Sequence, residues 1–162
     1  MKIIGLTGGI GSGKSSILNL FKKKNISCFN TDFIAKKLMD NELKEKIKTL
    51  FGTDIYKKGE LNRKKISKIV FNDIEKLNKL NSIVHPAVRK NFRDFIKSNK
   101  KAKFIVYETA LLFETNFNKE CDIIILVIAP LNKRIKRIIK RDGLLKSEIT
   151  RRINHQWSDK KK

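Results

Sequence analysis

Ile3-Ile4-Gly5-Leu6-Thr7-Gly8-Gly9-Ile10-Gly11-Ser12-Gly13-Lys14-Ser15-Ser16 is a short apolar run, then a glycine-dense loop, then lysine and two serines. The apolar run reads as a buried strand. Gly8, four intervening residues and Gly13-Lys14-Ser15 match the G-x-x-x-x-G-K-[ST] spacing of a phosphate-binding loop. The match sits between a predicted strand and a predicted helix, where its mechanism requires it. Glycines let the backbone take positive φ and approach a polyphosphate, so successive N–H groups point into one concavity. The helix opening near Lys14 presents its unpaired N–H groups and positive dipole end to the same anion. Lys14 supplies a point charge for the outer phosphates, and the Ser15 hydroxyl is placed to ligate Mg²⁺. Gly11, Ser12, Gly13, Lys14, Ser15 and Ser16 are thus the candidate nucleotide-binding residues. A plain glycine-rich turn needs neither the lysine nor the hydroxyl in register, so the stretch predicts binding of a nucleoside triphosphate.

The chain has 162 residues, enough for one domain with a real core and too few for two full ones. The apolar run in Met1-Lys2-Ile3-Ile4-Gly5-Leu6 is too short for a signal peptide, and the later run Ile123 to Ala129 stops at Pro130. A soluble, cytoplasmic protein without a membrane partner is expected. Cys28 and Cys121 show no metal-type spacing and are expected to be buried, reduced thiols. The net charge of +22 attracts phosphates of every kind. Its lysines are spread over nearly every segment, with no basic stripe interleaved with aromatics, so no specific nucleic-acid partner is expected.

After the loop, Ile17, Leu18 and Phe21 continue an apolar face, and Lys22-Lys23-Lys24 close that helix with cations at its negative end. Ile26 to Asn30 reads as a second strand, and Thr31 or Asp32 as the cap of the next helix. An acid at the carboxyl end of a strand, near a phosphate loop, is where α/β enzymes place chemistry, so Asp32 reads equally as plain cap and as reacting group. Residues 42–100 hold no convincing strand. Apolar spacing marks four helices there, the last opening at His85-Pro86 with proline in its tolerated first turn. Phe104 to Glu108 and Asp122 to Ile128 read as the third and fourth strands, continuous apolar runs suited to a parallel sheet. Leu131 to Arg141 is an amphipathic helix whose Arg134, Arg137 and Arg141 share a face bordering the apolar stripe. Such a face suits either solvent or a lid that closes guanidinium groups over transferring phosphates.

These segments together resemble the dephospho-CoA kinases, P-loop kinases related to the nucleoside monophosphate kinases. The resemblance rests on Leu6 to Ser15, on Asp32-Phe33-Ile34-Ala35, on Leu80-Asn81 with His85-Pro86, and on Leu111-Leu112-Phe113-Glu114. Arg137, Arg141-Asp142, Arg152-Ile153 and Gln156 extend it along the chain. It implies an α/β, three-layer P-loop kinase fold over residues 1–162, with a helical substrate-binding insertion at 42–100 and a helical lid at 131–157. It further implies transfer of the ATP γ-phosphate, with Mg²⁺, to the ribose 3′-hydroxyl of dephospho-CoA. In that reading Lys14, Asp32, Arg137 and Arg141 are catalytic, Asp32 being the base, and Asp32, His85 and Arg89 belong to the substrate side.

The chain departs from the family pattern in places. The paired acids after the second strand appear as Asn30-Thr31-Asp32, and the proline before Leu-Leu-Phe-Glu is Ala110. The sequence given ends at Lys162, ahead of the family's final edge strand and closing helix, which predicts an exposed sheet edge and self-association through it. Two alternatives stay open: a P-loop kinase acting on another nucleoside or nucleotide, and an inactive ATP-binding remnant of the family.

Overall fold

Four short apolar runs pair side by side as a parallel sheet, because each is closed by a segment long enough for a crossover. The computed structural model describes all of residues 1–162. In chain order the elements are β1 (Lys2–Thr7), α1 (Lys14–Lys23), β2 (Cys28–Asn30), α2 (Thr31–Asp40), α3 (Lys44–Phe51), β3 (Tyr56–Lys57) and β4 (Glu60–Leu61). Then follow α4 (Arg63–Val70), α5 (Ile74–Ser98), β5 (Phe104–Glu108), β6 (Ile123–Leu126), α6 (Leu131–Asp142) and α7 (Lys146–Asn154). They fall into two compact units, Met1–Asn30 with Asn99–Lys162, and Thr31–Ser98.

The first unit holds the parallel sheet, in the order β2-β5-β1-β6, flanked by helices. Alternation sorts the strand residues to two faces. Ile4, Leu6 and Val106 pack with Leu18 of α1, while Ile17, Phe21, Ile125 and Val127 close around them. On β5, Tyr107 stacks between Phe29 at 5.7 Å and Phe117 at 3.9 Å between ring centroids. β6 is shorter than the expected run 122–128, and as an edge strand it leaves Ile123 and Ile124 exposed at 47% and 38%.

The second unit is mainly helical and contains the segment 42–100 up to Ser98, together with α2. Two expectations are corrected here. Pro86 does not open a helix; it lies inside the 25-residue α5. An interior proline costs about 3 kcal/mol, but Leu80, Val84, Val88 and Phe92 form one buried stripe running through both sides of it, and that burial holds the helix together. The segment is also not strand-free, since β3 and β4 form an antiparallel hairpin. Lys58 at φ 50° and Gly59 at φ 87° make its two-residue turn, with the positive φ pair that such hairpins favour. The hairpin is tied to α2 by Leu61 N donating to Asp40 Oδ1 at 3.1 Å and by Tyr56 OH donating to Met39 O at 2.6 Å. The Arg63–Asp40 ion pair joins the start of α4 to the same end of α2.

Gly5 shows how tightly the first unit is packed. A Cβ there would stand 2.8 Å from Cys121 Sγ and 3.0 Å from Leu112 Cδ2. Gly5→Ala is expected to lower the unfolding free energy by about 1–3 kcal/mol in urea titration, and Cys121→Ala to restore part of it. An equal cost in both backgrounds would contradict the steric cause.

Candidate active site

The phosphate loop leaves the carboxyl end of β1, the strand flanked by β5 and β6, where open parallel sheets hold their ligands. Gly13 at φ 112° is the N-cap of α1 and offers no side-chain cap, so the helix start keeps its N–H groups for an anion. Gly8, at φ 149°, comes so near the residue that follows β6 that a Cβ would lie 2.2 Å from Val127 O. Both positions therefore require glycine.

Lys14 is 8% exposed, and its Nζ donates to Gly8 O at 2.8 Å and Gly9 O at 3.4 Å. Ser15 and Ser16 stand exposed on the first turn of α1, whereas Ser12 is buried and its Oγ lacks a hydrogen-bond partner. No group of three or more His, Cys, Asp or Glu side chains could cage a metal. Mg²⁺ takes few protein ligands and relies on substrate phosphates, and the exposed Ser15 hydroxyl is an oxygen of the kind it accepts.

From α6, Arg137 donates to Gly11 O at 3.2 Å and Ser12 O at 3.1 Å. Arg141 is exposed at the far end of the helix, where its Nε and Nη2 each reach an Asp142 carboxylate oxygen at 2.8 Å. Arg134 departs from the shared basic face: it is 7% exposed and its Nε donates to Ile10 O at 2.9 Å. From the segment after α7, the Gln156 Oε1 accepts from Ile10 N at 2.9 Å, and Asp159 Oδ2 meets Arg134 Nη1 at 3.3 Å. Glu114 is structural, accepting from Trp157 N at 2.7 Å and pairing with Lys162 at 3.2 Å.

Glu108 is the charged group that the reading of the sequence passed over. It is 3% exposed at the end of β5, in register with Leu6, and accepts from Asn30 Nδ2 at 2.6 Å. Its only sequence signal was an acid closing an otherwise apolar strand.

In the second unit, Asp32 is an exposed carboxylate on the first turn of α2. His85 and Arg89 lie one turn apart on α5 and line an open depression of about 460 Å³ with Asn78, Asn81, Ser82 and Arg93. Burial, and secondarily the Arg89 charge, hold the His85 imidazole below its ordinary value of 6.5.

The profile of the family described as dephospho-CoA kinase matches residues 2–162. The chain belongs to the dephospho-CoA kinase family. It is an ATP-dependent kinase of that family. A Fusobacterium nucleatum dephospho-CoA kinase is 40% identical over 162 residues, covering 99% of this chain and 83% of its own length. A Leptospira interrogans dephospho-CoA kinase is 37% identical over 157 residues, covering 95% of this chain and 76% of its own. The crystal structure of a Thermus thermophilus protein is similar at TM-score 0.85 and 32% identity, over 99% of this chain and 82% of its own. The parallel sheet with flanking helices is thus a dephospho-CoA kinase-like P-loop fold.

A proton binds His85 less readily in the folded kinase than in the unfolded chain. The contribution of His85 to stability is therefore full above pH 6.5 and is lost as pH falls from there toward the depressed folded value. A proton NMR titration is expected to place the His85 midpoint below 6.5 and Arg89→Leu to raise it. A midpoint at or above 6.5 would contradict this account of the depression.

Proposed function

We propose that this kinase transfers the γ-phosphoryl group of ATP to the ribose 3′-hydroxyl of dephospho-CoA, the last step of coenzyme A synthesis, using the loop of Gly11 to Ser16 with Lys14, Asp32, Arg137 and Arg141. The observation that carries the reading is the complete phosphate loop at the carboxyl end of β1 in a chain matched by the family from residue 2 to residue 162.

The loop N–H groups and the α1 dipole bind the triphosphate. Lys14 exchanges the carbonyls of Gly8 and Gly9 for phosphate oxygens and fixes the outer phosphates. Ser15 Oγ would hold Mg²⁺, which would supply neutralisation of phosphate charge. Asp32 accepts the proton of the 3′-hydroxyl as its oxygen bonds to the γ-phosphorus; the bond from that phosphorus to the bridging oxygen breaks and ADP leaves with the electron pair. Arg137 and Arg141 act on the charge that moves with the phosphoryl group. His85 and Arg89, facing one depression, hold part of the acceptor, whose diphosphate suits a guanidinium. The reading places the enzyme in the cytoplasm, where Cys28 and Cys121, both free thiols, stay reduced.

The test is ADP release with dephospho-CoA compared with a panel of nucleosides and nucleotides. Turnover confined to dephospho-CoA is expected, and preference for a nucleotide acceptor would overturn the assignment. Among variants, Asp32→Asn is expected to lower kcat by about 10²–10⁴ while ATP affinity stays near that of the wild type. Lys14→Ala is expected to weaken ATP binding as well as kcat, and Arg137→Ala and Arg141→Ala chiefly to lower kcat. Wild-type kcat in Asp32→Asn would remove that residue from the base role.

A further inference from the structure

Arg134 and Lys14 are both buried, and both charges end on carbonyls of the phosphate loop. Arg134 lies one turn before Ile138, on the covered side of α6. Its backbone carbonyl and the Ile138 side chain stand 2.8 and 3.0 Å from where a Cβ on Gly11 would be, so this part of α6 is seated directly on the loop. The guanidinium bonds Ile10 O through Nε, meets Asp159 through Nη1, and carries Nη2 to within 2.0 Å of a would-be Cβ on Gly9. Gly9, unlike Gly8, Gly11 and Gly13, does not have positive φ. The three atoms nearest its would-be Cβ all belong to the Arg134 guanidinium, so a side chain at Gly9 would have to displace that guanidinium.

We infer that Arg134 is a positioning residue of the phosphate loop, one that sets the direction of the Gly11 N–H and touches no substrate. In a planar trans peptide the C=O and N–H point opposite ways. Drawing Ile10 O to α6 therefore turns the Gly11 N–H away from α6. Arg137 does the same at the next two peptides through Gly11 O and Ser12 O. A released Ile10–Gly11 peptide would be free to flip, presenting a carbonyl dipole where a phosphate needs a donor. Lysine cannot replace the contact, because a rigid planar fork is what reaches Ile10 O and Asp159 together while lying across Gly9. The inference rests on the loop being the ATP site.

ATP affinity of the full chain, measured by calorimetry with Mg²⁺ and no acceptor, tests it beside KM for each substrate. Arg134→Ala is expected to weaken ATP binding by about tenfold or more, and Arg134→Lys to recover little of it. KM for dephospho-CoA should stay within about twofold. Gly9→Ala should mimic the loss by displacing the guanidinium. In the double variant Gly9→Ala should add almost nothing, because the space is then open. Wild-type ATP affinity in Arg134→Lys, or additive effects of the two substitutions, would overturn the inference. Should Arg134→Ala fail to fold by thermal melting, Arg134→Lys and Gly9→Ala decide the matter. A wild-type chain that binds ATP but leaves dephospho-CoA unmodified would overturn the functional reading and not this one; a chain that binds no ATP would overturn both.

Discussion

The backbone carbonyls of Gly8, Gly9, Ile10, Gly11 and Ser12 each accept a hydrogen bond from a cationic side chain, Lys14 for the first two, Arg134 for the third and Arg137 for the last two. A run of carbonyls drawn to cations leaves the opposite ends of the same planar peptides, their N–H groups, directed elsewhere. Two of them are taken within the protein, Ile10 N by Gln156 Oε1 and Ser12 N by Gly9 O, and an anion-binding concavity is made of N–H groups such as the others. The loop owes its shape to side chains from the far end of the sequence as much as to its glycines, and the glycines in turn leave room for the Arg134 guanidinium at Gly9 and for the Arg134 carbonyl and Ile138 at Gly11.

The rest of the first unit supports that arrangement. β1 is clamped between β5 and β6 in parallel register, so the point where the loop begins is fixed from both sides. Val127 N donates to Thr7 O at 2.8 Å and Thr109 N to Leu6 O at 3.1 Å, which carries the clamp to the last residue before the loop. The helix that ends the loop buries Leu18 in the core under β1. A strand, a helix and two arginines thereby hold a glycine-rich segment that would otherwise have many conformations.

Local chemistry was legible in the sequence because it depends on adjacent residues. Gly13-Lys14-Ser15 needs only its own spacing, β5 matched its expected bounds from Phe104 to Glu108, and α6 runs one residue past the expected Arg141. Pro86 was misread because a proline is local punctuation, whereas the stripe of Leu80, Val84, Val88 and Phe92 that overrides it is a property of the whole helix. The hairpin at Tyr56 to Leu61 escaped because its strands are too short to show alternation, and only the Lys58-Gly59 turn marked it. Arg134 read as one more member of a basic face, since helical spacing shows which residues share a side but not that loop carbonyls and Asp159 cover that side. Asn30 and Glu108 meet because β2 and β5 are neighbours, a pairing that no single strand reveals.

Phosphorus NMR of a reaction containing the full chain, Mg²⁺, ATP and dephospho-CoA addresses the central claim most directly. The account predicts that the γ-phosphate signal of ATP is replaced by ADP and by one new phosphomonoester resonance coupled to the ribose 3′ proton of the acceptor. ATP that is left intact, or a phosphate that appears on any other atom or only as free phosphate, would contradict it.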